Sequence, residues 1–352
     1  MQYDDSRAPF GLTMSRYPAH IPQVIAPFSL WWVCMVEDYL LHVPDSEEFV
    51  GSLLPGVRGV LEWFEGHLGA DDLFGPLPHW NFVDWCRSKV WNGGNPPGTK
   101  EGGSSILTLQ FALALQSAAR MNEKLHGDGD RWQKLADKLM AAVRKECLNT
   151  QTMRIADTPA KDTYSQHGNL LAILAGLPMN DSERDTMLSQ TLTDTDTVTQ
   201  ATYYFRFYLG RALAVSGRGD EYLNHLKPWH DMLALGLTTW AEEPDPTRSD
   251  CHAWSSSPNY EFLATVLGVL PGSLGWKTTT IAPHLGVLTE LSGVVPHPSG
   301  SGIAVEYKKD GNTLIARITM PQSGPGSEGT FLWRGQKHAL RPGVQTITVK
   351  VS

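Results

Sequence analysis

Residues 238–254 concentrate groups that can do chemistry: Glu242, Glu243, Asp245 and Asp250, together with Arg248 and His252, bracketed by Trp240 and Trp254. The segment is turn-rich and lies between two apolar, helix-like runs. Carboxylates flanked by indoles suit a sugar-cleaving pocket. An indole face stacks on the apolar side of a pyranose, and a carboxylate in a partly dry setting can act as acid, base or nucleophile. The same composition also describes a solvated acidic loop whose Trp residues cover a core. Composition alone leaves both readings open, with Arg248 pairing to Glu243 or Asp245 as ordinary loop electrostatics.

The elements that must position these groups fall into two regimes that meet near residue 272. Before it, apolar residues recur at helical spacing in two alternating kinds of segment. Residues 22–43, 104–122, 164–176, 200–215 and 257–269 are apolar nearly all round, as expected of helices covered on both sides. Residues 46–68, 129–147, 181–193 and 219–234 carry a charged face and belong at the surface. After residue 272, strand-like runs occur at 277–281, 303–307, 313–320, 329–333 and 346–351, with a hairpin turn at Asp310-Gly311-Asn312. The expectation is a mainly α chain: a helical domain over 1–272, built as an α/α toroid of hairpins, followed over 273–352 by a small antiparallel β-sandwich.

The formal charge of −8 argues against nucleic acid or an anionic membrane as the partner. The apolar stretch Ile21–Leu41 is interrupted by Pro22, Gln23, Pro27, Glu37 and Asp38, which favours a buried helix over a membrane span. The N-terminus shows neither a basic nor an apolar signal region, and Cys34, Cys86, Cys147 and Cys251 form no paired motif, so reduced thiols and a cytoplasmic setting are expected. No His/Cys/Asp/Glu set has ligand spacing and no glycine-rich phosphate loop is present, so neither metal nor cofactor is expected.

Thr239-Trp240-Ala241-Glu242 followed by Ser249-Asp250-Cys251-His252-Ala253-Trp254 resembles the general-base segment of glycoside hydrolase family 78, the α-L-rhamnosidases. Ile281–Leu288 resembles an element of that family's terminal β-sandwich. The resemblance implies a six-hairpin α/α barrel and inverting hydrolysis of terminal α-L-rhamnose, with Glu242 as the base that activates water. Glu243 is the adjacent alternate, disfavoured only by its spacing from Thr239. Asp84-Trp85 resembles the family's Gly-Asp-Trp motif, with Val83 in place of Gly. By that likeness Asp84 contacts sugar hydroxyls or substitutes as the acid, and Trp80 or Trp85 forms a wall. An Asp capping the next element beside a core Trp is the plain alternative.

Gln166 and His167 open an inner helix and could reach its rim, while Ser165 stands where an N-cap belongs. Tyr203 and Phe205 could form a sugar platform, although aromatics at helical spacing usually lie in a core. His252 is placed to donate to a sugar hydroxyl and to the base, with Trp240 or Trp254 lining the rhamnose. The family's acidic general-acid motif lies upstream of the matching segment and has no counterpart here, so the resemblance covers the C-terminal part of the catalytic domain and front helices are expected to be missing. The exposed flank of such a barrel would invite a homo-oligomer or a missing N-terminal segment. Rival readings are a six-hairpin glycosidase for another sugar and a non-catalytic sugar-binding remnant.

Overall fold

A computed structural model describes residues 2–244 and 246–350. Asp245 and Val351, named in the expectations above, lie outside the described residues.

The helices are α1 (Gln2–Asp5), α2 (Ala26–His42), α3 (Glu47–Glu65), α4 (Ser105–His126), α5 (Asp130–Cys147), α6 (Gln166–Leu174), α7 (Asp181–Thr193), α8 (Arg206–Val215), α9 (Lys227–Ala234) and α10 (Ser257–Glu261). A 3-10 turn covers Gly219–His225, another covers Ala253–Ser255, and Phe262–Val266 is a π-turn. The two expected kinds of helix are both present. In α4 every residue from Ser105 to Ala112 is buried, whereas α5 buries only Trp132, Ala136, Leu139, Met140, Val143 and Cys147, a one-sided stripe at helical spacing. Ends are fixed locally. Ser104 accepts the Leu107 N–H at the start of α4, and Gly127 takes the left-handed conformation at its end (φ 69°). Asn180 and Glu183 form a reciprocal capping box on α7.

Helix α8 starts at Arg206, later than the apolar pattern from residue 200 suggests. The intervening residues have other partners. Ala201 donates its N–H to the Gln166 Oε1 (3.0 Å), and Thr202 donates its N–H to Asp84 (2.8 Å), which holds both amides out of a helical ladder.

Compactness divides the chain into two units: Met1–Glu37 with Glu47–Ala212, and Asp38–Ser46 with Leu213–Ser352. Helix gives way to strand at Val269, beside the expected boundary at residue 272. In the first unit the two-stranded ladders β1 (Leu148–Asn149) with β2 (Arg154–Ile155), and β3 (Tyr164–Ser165) with β4 (Val198–Thr199), tie the loops that enter α6 and α8.

The second unit carries β5 (Val269–Pro271), β6 (Thr279–Ile281), β7 (Glu290–Val295), β8 (Ile303–Asp310), β9 (Thr313–Met320), β10 (Gly329–Trp333), β11 (Gln336–Leu340) and β12 (Gly343–Lys350). They form two four-stranded sheets, β12-β9-β8-β7 and β11-β10-β6-β5. Asp310 pairs with Thr313, so Gly311 (φ 56°) and Asn312 are the two-residue hairpin loop. The first sheet is antiparallel throughout. The second is not, which corrects the expected all-antiparallel domain: β6 and β10 run parallel, Thr279 opposite Gly329. The chain between them builds β7–β9 of the other sheet, a crossover long enough to return parallel. Side chains from both sheets, among them Ile281, Val305, Ile318, Phe331 and Val349, form one buried cluster. No helix among the described residues is long and apolar enough to cross a membrane.

Candidate active site

Glu242 lies on the connection between α9 and α10, within the second unit. Backbone bonds shape this loop: Glu242 donates its N–H to Arg248 O (3.0 Å), and His252 donates its N–H to Trp240 O (2.7 Å). The Thr239 hydroxyl donates to Asp250 O, closing the base of the loop. Beneath it, Ser255 Oγ donates to Ala241 O (2.6 Å) and Trp229 Nε1 donates to Ser255 O (2.7 Å), anchoring the loop to α9.

Glu242 is only 8% exposed. Arg248 grips its carboxylate with two donors, Nη2 to Oε1 at 2.8 Å and Nε to Oε2 at 3.2 Å, and Nη2 also pairs with Glu243 Oε1 at 2.9 Å. The arginine was expected on Glu243 or Asp245; it bridges Glu242 and Glu243. The hydrogen bond to Glu242 raises Arg248 further above its ordinary range. The same bidentate contact favours an ionised Glu242. His252 Nδ1 lies 3.8 Å from Glu242 Oε2, outside hydrogen-bond range. Its ring sits against Trp254 (centroids 4.3 Å apart), whose Nε1 donates to Glu242 O (3.3 Å). Trp240 and Trp254 are half-buried.

The first unit holds the other expected residues. Trp80 and Trp85 are half-buried neighbours with centroids 5.8 Å apart, with Phe82 packed edge-on against both. Trp80 Nε1 donates to Gly93 O (2.9 Å). Asp84 is placed differently from the expectation of a sugar contact or acid. It is fully buried, and both oxygens are occupied. Oδ1 accepts the Trp85 N–H (2.9 Å) and the Thr202 hydroxyl. Oδ2 accepts the Thr202 N–H (2.8 Å), His167 Nε2 (2.8 Å) and the Cys86 thiol (3.6 Å).

Gln166 and His167 are likewise interior groups, not rim contacts. Gln166 donates to Gln200 Oε1 (2.9 Å) and accepts from Ala201, while His167 lies between Trp91 and Phe205. Tyr203 is buried too. Ser165 holds the N-cap position of α6, but its hydroxyl donates to Asp157 Oδ1 (2.6 Å) instead of capping. Asp157 is fully buried, and burial pushes its carboxyl up to about 6. Sequence offered no signal for Asp157, Cys86 or Thr202, because tertiary contacts alone give them partners.

Asp84, Cys86 and His167 bring one donor atom each to within 4.8 Å of one another, a set hidden by its sequence spacing. It suits a hydrogen-bonded lock better than an ion. Oδ2 already accepts three bonds, and burial, with Asp84 nearby, raises the Cys86 thiol well above its usual range. His167 Nδ1 also has no partner, whereas a metal-bound imidazole needs that nitrogen supported.

Alternating helical hairpins, a following β-domain and a carboxylate–indole loop at the mouth of a helix are the organisation of a six-hairpin glycosidase. Residues 2–266 match the bacterial alpha-L-rhamnosidase 6 hairpin glycosidase domain, and the chain belongs to that family. No curated protein matches it. Among solved structures it is similar to the family 78 rhamnosidase of Bacillus sp. GL1 (TM-score 0.80, 23% identity, covering 94% of this chain and 35% of that one). It is similar also to the α-L-rhamnosidase of Dictyoglumus thermophilum (TM-score 0.78, 17% identity, 99% and 43%). A third is the Streptomyces avermitilis α-L-rhamnosidase complexed with L-rhamnose (TM-score 0.77, 17% identity, 99% and 36%). This chain therefore spans less than half the length of each.

Proposed function

We propose that this chain is part of a glycoside hydrolase that removes terminal α-linked L-rhamnose with inversion, and that Glu242 is the base that holds the attacking water. The observation that carries this is the family match joined to the state of Glu242: nearly buried, beside His252 and Trp254, and gripped by Arg248. A base must be ionised at the working pH, and a guanidinium on both oxygens favours that form. We read the hairpins of the first unit as an arc of an α/α toroid, and the two sheets of the second, which share one core, as a β-sandwich.

Inversion also requires a protonated carboxyl on the leaving oxygen, about 6.5–9.5 Å from the base. Asp84 has no lone pair to spare and Glu243 is paired to Arg248, so we assign the acid to neither. A missing acid costs about 10²–10⁴-fold in rate, least for a leaving group that needs little protonation. Assayed alone, the chain should cleave nitrophenyl rhamnoside slowly and natural rhamnosides hardly at all. Rapid turnover of both would mean that a carboxyl within this chain supplies the proton.

A further inference from the structure

Helix α9 buries two side chains, Trp229 and Met232, which stand three residues apart and so share one face. Both reach Ala241, the fully buried residue that precedes Glu242, one directly and the other through Ser255. Ala241 donates its N–H to the Met232 thioether, with N and Sδ 3.3 Å apart. Its carbonyl accepts from Ser255 Oγ (2.6 Å), and Trp229 Nε1 in turn donates to Ser255 O (2.7 Å).

Two peptide planes lead into Glu242, and each is held at both ends. In the first, Trp240 O accepts the His252 N–H (2.7 Å) while the Ala241 N–H goes to Met232. In the second, Ala241 O accepts from Ser255 while the Glu242 N–H goes to Arg248 O (3.0 Å). A turn of either plane would re-aim the Glu242 carboxylate, and these four bonds oppose both turns. The thioether is the weakest acceptor of the set. Its donor is buried, however, and a buried N–H left unpaired costs more than the bond itself contributes. A side chain of the same size without the sulfur would therefore drive the first plane to turn in search of another acceptor.

We propose that Met232 and Ser255 are positioning residues for the hydrolysis: by fixing the planes on either side of Ala241 they hold the Glu242 carboxylate in the orientation a base requires. The assignment rests on Glu242 as the base. It is tested by steady-state kinetics on nitrophenyl rhamnoside across pH, comparing wild type with Met232→Leu, Ser255→Ala and Glu242→Gln. Met232→Leu conserves volume and removes only the acceptor. Met232→Leu and Ser255→Ala should each lower kcat by about 10–100-fold, the order that a displacement near 1 Å produces, with KM unchanged within about twofold. A displaced carboxylate also loses part of its contact with Arg248, so the acidic limb of the kcat profile should move to higher pH. A purely structural loss would scale the rate equally at every pH and leave the limb in place. Ser255→Ala removes a single oxygen and keeps the test decisive if Met232→Leu does not fold. Near-normal kcat in a folded variant, or a fall in kcat with an unmoved limb, overturns the positioning role of that residue and, with Glu242→Gln inactive, leaves Glu242 as the base. No turnover by wild type, or near-normal turnover by Glu242→Gln, overturns the reading of Glu242 and the positioning role with it.

Discussion

Asp84 and Glu242 look alike in sequence, each a carboxylate on a loop leading into a helix with Trp and His nearby, but the structure gives them opposite circumstances. Asp84 is sealed, and its two oxygens accept from the amide and hydroxyl of Thr202, from His167, from Trp85 N–H and from Cys86. Glu242 is held on both oxygens by Arg248, which is itself about half exposed. A carboxylate whose acceptors are all taken by backbone and buried side chains holds loops together. One held by a half-exposed guanidinium keeps its charge beside a partner that itself reaches water. Burial alone does not separate the two groups, since both lie below a tenth exposed. What separates them is the exposure of their partners.

The sharpest test of that contrast is to remove each charge. Glu242→Gln should lower turnover of nitrophenyl rhamnoside by about 10²–10⁴-fold with little change in unfolding midpoint. Near-normal activity would move the base to Glu243 or end the assignment. Asp84→Ala should do the reverse to stability, costing about 3–5 kcal/mol in denaturant unfolding followed by Trp fluorescence, because Thr202 and His167 lose a buried acceptor. A cost below about 1 kcal/mol would mean that the lock is not structural.

A smaller effect belongs to Asp157. Its folded carboxyl titrates at about 6 against an unfolded value near 4, so between those values the native state holds a proton that the unfolded chain has lost. Stability should therefore fall as pH rises from about 4 to about 6, by about 2–3 kcal/mol in all, and stay at the lower level above that window. The slope is read as the difference between wild type and Asp157→Asn, which removes the titration; identical pH profiles would refute it. The smallest expected effect is at Arg248. Because it is exposed, Arg248→Met should change stability by less than about 1 kcal/mol, while raising the pH at which the acidic limb of turnover sets in. An unchanged pH profile would show that Arg248 does not tune Glu242.

Sequence made the helical register legible because burial and period coincide: the one-sided stripe of α5 and the all-round burial of α4 are readable without coordinates. Strands β8 and β9 were legible for the same reason, with alternating burial and Gly311 at their turn. Strand β7 was not. Burial alternates along Glu290–Val295, but residue type does not follow it, because Gly293 stands at an inward position and Val294 at an outward one. Within the candidate site, Glu242 and its indoles are close in sequence and could be found by spacing. The role of Asp84 could not, since His167 and Thr202 lie 83 and 118 residues away and only the fold brings them to it. Residue type predicted a polar contact at Asp84; the partner's identity decided that it faces inward.

The π-turn at Phe262–Val266 closes with the Leu267 N–H on Phe262 O at 2.9 Å, one residue more than an α-turn holds. That extra residue sets the rotational phase of everything downstream. Deleting any one position there would let the helix close normally and turn the following chain by about 100°. Leu267 and Val269, now 4% and 3% exposed in the core shared by the two sheets, would swing out of it. Segment length at this junction is thus dictated by the β-domain and not by the helix that contains it. A chimera that joins these sheets to another helical scaffold must carry the surplus residue along with them.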